Sequence, residues 1–443
     1  MSDGPLAVDY TPVGPGAARL RAIVRRARGF ADRHLRPVAL GLERRLEREH
    51  DHFPWDVVRA GADDGWLGGV VPSAWGGQGL GIVDMSVAME ELCAGDAGLA
   101  NIFGAHALGM LPLLLGGQLD LARRVLGEVT AAARGPAPQL CAFAITEPGG
   151  GSDVEEADGL ARGAVHSHAV RGLDGYRLHG RKVFISNGNV AEWVVVFVAV
   201  ERQRPLPSWT AFVVRRGTPG MSCPRLERKL GQRACPAAEL LWDDAVVPAA
   251  QRIGAEGSGW ELSRRVLAIS RGPVGAIATG LAREAFTVAL QATRGRREPW
   301  MEDALARMAV SIRVARAAYL EAAQHADEVL LPGPLAQRAL ALAPGPLGLG
   351  GRLLGAALAR RERAPETAAA WARQVVLGAT AKLTGSDAAM AAATVALDLV
   401  PPGAGVLRAR AEKAFRDAKL TQIYEGTNQI NLRAIAHEGW PGG

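Results

Sequence analysis

Residues 193–200 read Trp-Val-Val-Val-Phe-Val-Ala-Val, an unbroken run of β-branched, aromatic and small apolar side chains. Such a run is typical of a buried strand. Short strand candidates occur on both sides of it, at 175–179, 210–214 and 239–242, and glycine and proline separate them at close intervals. This pattern predicts a small antiparallel, β-barrel-like domain, to which we assign residues 139–254.

On both sides of this β domain the apolar residues change to spacings of three and four, which is typical of amphipathic helices. Alanine and leucine dominate the C-terminal part. We predict a mainly α-helical protein with a central β domain, an N-terminal helical domain over 1–138 and a C-terminal helical bundle over 255–443. Proline and glycine interrupt the bundle at about 331–364, which we interpret as an insertion with a short helix at 352–363.

The composition excludes several classes of protein. With 48% hydrophobic and 22% charged residues, the chain of 443 residues is globular rather than disordered. Its net charge of +6 comes with arginines spread along helices and with no nucleic-acid reader motif, so we predict no nucleic-acid partner. The cysteines at 93, 141, 223 and 235 form no Cys-x-x-Cys pair, which predicts a reducing compartment and no metal site. We see no signal-peptide pattern and no continuous apolar stretch of membrane-spanning length, so we expect a cytoplasmic protein without a membrane anchor.

Two glycine-containing stretches have the chemistry of a ligand site. The first, 144–153, reads Ala-Ile-Thr-Glu-Pro-Gly-Gly-Gly-Ser-Asp, and its glycines let backbone amides approach an anion or a flat polar ring. Taken alone, it is more simply a glycine-rich turn. The second, 182–188, reads Lys-Val-Phe-Ile-Ser-Asn-Gly. On a strand Phe184 and Ser186 share one face, where a ring and a hydroxyl can meet a planar ligand together. An ordinary strand that ends in an Asn-Gly turn is an equal alternative.

A third stretch, 422–430, reads Gln-Ile-Tyr-Glu-Gly-Thr-Asn-Gln-Ile and separates two helical segments. We predict a helix junction here, with Thr427 as the N-cap of the second helix. A carboxylate at such a junction, flanked by tyrosine and isoleucine, is partly desolvated. Desolvation raises the pKa of Glu425 toward the range of a general base. The plainer alternative is an exposed loop glutamate.

In this order the three stretches resemble the acyl-CoA dehydrogenase family, and the resemblance covers nearly the whole chain. Residues 146–153 resemble the Thr-Glu-Pro-Gly-x-Gly-Ser-Asp motif that opens the family's β domain, and 182–188 resemble its Lys-x-aromatic-Ile-Ser/Thr-Asn-Gly strand. Gly231-Gln232-Arg233 matches a family turn, and Arg416-Asp-Ala-Lys leads into the family's Tyr-Glu-Gly-Thr-x-Gln-Ile. Three ordered matches arise by chance far more rarely than any one of them.

The resemblance implies FAD as cofactor and an acyl thioester as substrate, carried by CoA or by an acyl-carrier protein. In the family a glutamate takes the α-proton and flavin N5 takes the β-hydrogen as hydride, so Glu425 is the expected catalytic base. Some members carry the base just before an arginine, but the residue before Arg271 is a serine here. By position, the resemblance assigns cofactor contacts to Phe143, Thr146, Ser152, Phe184, Ser186, Thr427 and Gln429, and substrate contacts to Ser152, Arg271, Tyr424 and Gly426.

The same resemblance implies partners and an assembly. We expect an electron-transfer flavoprotein or another electron acceptor, and a homodimer or homotetramer built on the C-terminal bundle. The family's Arg-x-x-Phe-Gly, which grips the FAD pyrophosphate across a subunit interface, is replaced by Arg-Gly-Arg-Arg-Glu-Pro-Trp at 294–300. The family's Gly-Gly-x-Gly is replaced by Pro-Pro-Gly-Ala-Gly at 401–405, and its usual tryptophan by Phe184.

Two other functions stay open at this point. One is a flavin oxidase or monooxygenase on the same scaffold, although such relatives commonly lack this glutamate. The other is a non-catalytic partner subunit without its own FAD. Whether the protein is a dehydrogenase or an oxidase or monooxygenase, we expect residues 90–115 to close the substrate pocket. His106 lies in this stretch, and helix packing is a simpler role for it than lining the pocket.

Overall fold

The computed structural model describes residues 8–14, 16–163, 165–296, 298–330 and 365–440. The predicted insertion at about 331–364, with its short helix, lies outside the described residues. Helices form the N-terminal part: α1 Ala17–Phe30, α2 Arg36–Arg48, α3 Trp55–Asp63, α4 Ile82–Cys93, α5 Ala97–Leu115 and α6 Leu119–Ala133. A π-helical turn, Ala31–Leu35, joins α1 to α2.

Strands form the middle part, interrupted by two short helices, α7 Ala157–Ala161 and α8 Pro205–Ser208. The strands are β1 Cys141–Ala144, β2 His168–Arg171, β3 Gly175–Ser186, β4 Trp193–Ala199, β5 Trp209–Arg215, β6 Met221–Leu226, β7 Ala237–Pro248 and β8 Arg252–Ile253. Helices return in the C-terminal part: α9 Gly259–Ala292, α10 Pro299–Leu330, α11 Pro365–Leu399, α12 Val406–Thr421 and α13 Asn428–Gly439. The predicted fold class is therefore confirmed.

The strands form one sheet in the order β6-β7-β3-β2-β4-β5-β8, with β1 beside β4. Most pairs are antiparallel as predicted, but β4 pairs in parallel with β1 and with β2. Every residue of β1 and β4 is buried. Parallel pairing is typical of strands covered on both faces, as β1 and β4 are.

The apolar run that predicts β4 is buried on two sides. Trp193, Val195 and Phe197 belong to a core shared with helices α5, α6 and α9, whereas Val194 and Val196 belong to the core inside the sheet. Successive side chains of a strand point to opposite faces, so both faces of β4 must be apolar. The strand thereby fixes the β domain against the helices.

Helix α5 is apolar on all sides because it lies in the interior. Asp96 caps its N-terminus and accepts a hydrogen bond from the Leu99 backbone N–H at 2.8 Å. Its length and composition would suffice to cross a membrane, but 67% of its most apolar window is buried inside the protein. A helix that is hydrophobic all round is expected in the core of a large domain.

Candidate active site

The turn that carries Glu425 lies between α12 and α13. The Thr427 side chain accepts a hydrogen bond from the Ile430 backbone N–H, so the predicted helix junction and N-cap are confirmed. Glu425 and Gly426 have φ values of 55° and 80°, two consecutive left-handed residues that reverse the chain sharply. The buried Lys382 ammonium holds this turn by donating to the Gly426 carbonyl at 2.7 Å and to Asn428 Oδ1 at 2.8 Å.

The Glu425 carboxylate is oriented from α9. Ser270 donates its hydroxyl hydrogen to Glu425 Oε2 at 2.6 Å, and Arg271 Nε donates to the Glu425 backbone carbonyl at 3.2 Å. Burial raises the pKa of Glu425 to about 7, opposed by the Ser270 hydrogen bond and assisted by the nearby Glu155 carboxylate. A carboxylate with a pKa near neutrality suits general-base chemistry. At working pH a large fraction is deprotonated, and the anion is still basic enough to take a proton.

Glu425 lines a cavity of about 570 Å³ between the β domain, the N-terminal helices and α9. Aliphatic side chains and thioethers from α4, α5 and α9 line one part of it: Met85, Met89, Leu108, Leu111 and Ile277. The β domain lines another part with rings and hydroxyls: Phe143, Thr146, Phe184 and Ser186. The cavity therefore joins an apolar compartment to an aromatic and hydroxyl-bearing one, and the 90–115 stretch contributes to the first as expected.

Phe184 reaches the cavity through a β-bulge. The pairing of β3 with β7 shifts between Lys182 and Ile185, and Phe184 takes a φ of 59° within the shift. A left-handed conformation is rare for a bulky side chain and marks strain that is typical of functional sites. Phe184 is 61% exposed. Strand alternation predicts Phe184 and Ser186 on one face, and both do line the cavity. The direction of the Phe184 ring, however, is set by the bulge rather than by regular alternation.

The glycine-rich turn is tied to the strand that carries Phe184. Glu147 is buried and pairs with the buried Lys182 at 2.8 Å, and the Val183 backbone N–H donates to the Thr146 carbonyl at 2.9 Å. The Ser152 hydroxyl oxygen accepts a hydrogen bond from the Thr427 backbone N–H at 3.2 Å. These contacts bring the three sequence stretches together in one site.

Most of the predicted site residues line the main cavity: Phe143, Thr146, Ser152, Phe184, Ser186, Tyr424, Glu425, Gly426 and Thr427. Arg271 instead lines an adjoining cleft of about 360 Å³, which shares Glu155 and Leu267 with the cavity. Gln429 is exposed on α13 and lies outside the lining of both, so its cofactor contact stays a prediction. Arg294 and Arg296 are exposed beyond the end of α9, and Arg297 is outside the described residues.

His106 packs inside α5, as the plainer interpretation predicts. Its Nδ1 accepts a hydrogen bond from the Cys141 backbone N–H at 2.8 Å, so its Nε2 carries the proton and donates to the Leu67 carbonyl at 2.9 Å. Burial lowers the pKa of His106 to about 4. The ring joins α5 to β1 as a neutral side chain.

Three residues of the site were missed from the sequence: Ser270, Glu155 and Lys382. The sequence does contain a signal that could have identified Lys382. The chain has only five lysines, at 182, 229, 382, 413 and 419. Three of them, Lys182, Lys382 and Lys413, are buried. In a chain whose surface charge is carried by arginine, a lysine within an alanine-rich helix marks a specific interior contact. Ser270 and Glu155 have no comparable signal.

We expect Gly426→Ala to lower both stability and activity. A Cβ at this position would lie 2.5 Å from Glu155 Oε2 and 2.9 Å from Arg271 Nη2, on a backbone with a φ of 80°. Left-handed backbone strain alone costs on the order of 1–3 kcal/mol. Urea unfolding and turnover would measure the two effects. Gly403→Ala is the control, because nothing lies within 4 Å of its Cβ position. An unfolding midpoint for Gly426→Ala equal to that of the control would contradict the expectation.

Comparison with known proteins identifies the family. The chain matches the N-terminal, middle and C-terminal domains of acyl-CoA dehydrogenase at 18–133, 142–245 and 257–343 with 351–439. It is 31% identical over 421 residues to cyclohex-1-ene-1-carbonyl-CoA dehydrogenase of Syntrophus aciditrophicus (strain SB), covering 93% of this chain and 87% of the relative.

Two solved structures share the fold. Butyryl-CoA dehydrogenase from Megasphaera elsdenii superposes with a TM-score of 0.76 at 24% identity, over 97% of this chain and 98% of the other. PigA with FAD and proline superposes with a TM-score of 0.76 at 20% identity, over 97% of this chain and 99% of the other. The matched domains cover most of the sequence in the order found in the structure, and the chain belongs to the acyl-CoA dehydrogenase family of oxidoreductases that act on CH–CH groups.

Proposed function

We propose that the protein dehydrogenates an acyl thioester between its α and β carbons, with Glu425 removing the α-proton and FAD as cofactor. One observation carries the proposal. A carboxylate with a pKa of about 7 faces a cavity that has an apolar part and an aromatic, hydroxyl-bearing part. The apolar part suits an acyl chain, and the other part suits a planar redox cofactor.

The residues of the β domain fit a flavin ring. Phe184 is 61% exposed at the cavity despite its size, and its backbone is held in a strained conformation. A planar ligand that stacks on the ring would offset both costs. Thr146 and Ser186 bring hydroxyl groups to the same compartment, and Phe143 brings a second ring. These residues would hold the cofactor, which when bound would supply the hydride acceptor.

The chain itself supplies the proton chemistry. Ser270 fixes the orientation of the Glu425 carboxylate, so that Oε1 is left to accept the α-proton. Within the described part of the chain the Glu425 backbone N–H has no hydrogen-bond acceptor. We propose that it donates to the thioester carbonyl and stabilises the negative charge that develops on that oxygen.

We propose that the carrier arm of the thioester leaves through the adjoining cleft. This cleft begins at Glu155 and Arg271, beside the Glu425 turn, and Trp260 and Ser263 of α9 continue it. CoA and an acyl-carrier protein both present the acyl group on a phosphopantetheine arm, and such a cleft would bind that arm from either source. Electrons would then pass to an electron-transfer flavoprotein or another acceptor.

A thioester screen on the purified protein tests the proposal. We expect FAD uptake, seen as a flavin absorption band, and reduction of an artificial electron acceptor with formation of an α,β-unsaturated thioester. Parallel CoA and carrier-protein thioesters would identify the carrier. Hydrogen peroxide formation without an artificial acceptor would favour the oxidase alternative. No flavin uptake with FAD in excess would overturn the proposal and favour a non-catalytic subunit.

A homodimer or homotetramer in the cytoplasm remains part of the proposal. Trp300, Val310 and Val314 of α10 are each more than half exposed, which supports an apolar contact between bundles. Light scattering at micromolar concentration would measure the mass. A monomeric mass would contradict the assembly.

A further inference from the structure

Three charged side chains from separate elements surround the Glu425–Gly426 peptide. Glu155 belongs to a 3₁₀ turn, Ser152–Glu155, Arg271 to α9 and Lys382 to α11. Arg271 Nη2 contacts Glu155 Oε2 at 2.5 Å, and the two side chains are 5% and 11% exposed. Since Arg271 Nε also donates to the Glu425 carbonyl, the guanidinium bridges Glu155 to the residue that carries the base.

The Glu155–Arg271 ion pair packs tightly against the Glu425–Gly426 peptide. The Cα of Gly426 leaves no room for a side chain, because a Cβ there would meet Glu155 Oε2 at 2.5 Å and Arg271 Nη2 at 2.9 Å. Asn431 Nδ2 closes the third side and donates to the Gly426 carbonyl at 2.9 Å. Glu155 therefore has a defined position next to the base rather than a mobile one at the surface.

Glu155 offsets the positive charge next to Glu425. Arg271 and Lys382 both favour the anionic form of Glu425, and the Glu155 carboxylate opposes them. Burial raises the pKa of Glu155, and Arg271 and Lys382 oppose that rise. Without Glu155, the base would face the Arg271 guanidinium with no nearby carboxylate to offset it, and an opposite charge within about 4–6 Å lowers a carboxylate pKa by roughly 1–3 units. Lys382 adds to this only in its protonated form, because burial and the nearby Arg271 lower its pKa to about 7.

Among the residues that the structure describes, the other charged groups near this peptide have partners. Asp387 of α11 faces Lys382 and accepts hydrogen bonds from Gln422 and Asn428, each at 2.8 Å. Glu156 pairs with Arg433 of α13 at 2.9 Å. Tyr424, next to the base, carries no charge at neutral pH, and burial raises its pKa further above the ordinary value. Glu155 is thus the carboxylate that compensates Arg271.

We infer that Glu155 is a positioning residue for the base: it holds Arg271 against the Glu425–Gly426 backbone and cancels the charge of that guanidinium. The base thereby keeps its strength near neutral pH. This role rests on the proposed function of Glu425, but the charge balance itself is a property of the chain and is measurable without substrate.

Glu155→Gln tests the inference through the pH dependence of turnover. In the wild type the rate should fall as pH drops through about 7, because burial raises the pKa of Glu425 to about 7. The variant removes a negative charge, which favours the anionic form of Glu425 and lowers its pKa. We expect the acidic midpoint to move down by about one pH unit or more, with a lower plateau because the base is weaker.

Two variants separate this effect from a loss of structure. Glu156→Gln removes the neighbouring carboxylate, which pairs with Arg433 rather than Arg271, and should leave the midpoint at its wild-type position. Glu155→Gln combined with Arg271→Gln removes one negative and one positive charge, so the midpoint should return toward the wild-type value. A double variant that keeps the midpoint of Glu155→Gln would overturn the inference.

An infrared titration of the Glu425 carboxyl gives a second readout that needs no turnover. Two difference spectra are compared. The first is the wild type minus Glu425→Gln, and the second is Glu155→Gln minus the double variant Glu155→Gln/Glu425→Gln, so that each isolates the Glu425 carboxyl. We expect the carboxyl to titrate at lower pH in the second pair. Such a shift without turnover of any thioester would sink the proposed function and leave the inference standing. Equal midpoints in the two pairs would overturn the inference itself.

Discussion

Glu425→Gln is expected to lower turnover by about 10²–10⁴-fold or more, while folding and FAD uptake stay close to wild type. Glutamine has the shape of glutamate, and its amide oxygen can still accept the Ser270 hydrogen bond, but it cannot take a proton at neutral pH. The rate of flavin reduction by a thioester measures the effect. Flavin absorbance and the unfolding midpoint show whether the rest of the protein is intact.

Glu192→Gln is the matched control for this variant. Glu192 directly precedes β4, pairs with Arg215 at 2.7 Å and does not line the cavity, so turnover should stay near wild type. If Glu425→Gln kept more than about a tenth of wild-type turnover, the loss would be smaller than general-base removal produces. The assignment of Glu425 would then be wrong, and the monooxygenase alternative would become the better one.

The second large effect is on stability, and we expect it from Glu147→Ala. The side chains of Glu147 and Lys182 are 1% and 0% exposed, and the carboxylate also accepts hydrogen bonds from the His166 and Ser167 backbone N–H groups. Burial raises the pKa of Glu147, but Lys182 and these donors outweigh it and hold the pKa below its ordinary value. Removing one partner of a buried pair leaves an uncompensated charge and costs roughly 3–5 kcal/mol. Chemical denaturation would measure the loss in the free energy of unfolding.

A double-mutant comparison makes this prediction sharper. Glu147→Leu with Lys182→Met removes both charges and should cost much less than Glu147→Ala, because no buried charge is left without a partner. Glu192→Ala breaks a pair whose arginine is 51% exposed and should cost no more than about 1 kcal/mol. A loss for Glu147→Ala that matched Glu192→Ala would show that the pair does not hold the glycine-rich turn.

The local structure around the candidate base was predictable because its determinants are neighbours in the chain. A threonine after Glu-Gly and before a helical run is an N-cap, and Thr427 adopts that role. The unbroken apolar run at 193–200 predicted a buried strand because both faces of β4 are covered.

The environment of the base was not predictable, because it is made by residues far apart in the chain. Ser270 and Glu425 are separated by 155 positions, and Glu155 and Arg271 by 116. No spacing rule joins such residues, and whether a carboxylate is hydrated or buried depends on what packs over it. The direction of the Phe184 ring likewise depends on a bulge in the pairing of β3 with β7.

The sequence by itself therefore determined the order of helical and β regions, the family and the identity of the candidate base, since periodicity and contiguous motifs carry that information. Only the tertiary structure decided how strong that base is. Its strength is set by burial and by the balance of Glu155, Arg271 and Lys382 around one peptide, and these charges meet only after α9, α11 and the 3₁₀ turn Ser152–Glu155 have packed together.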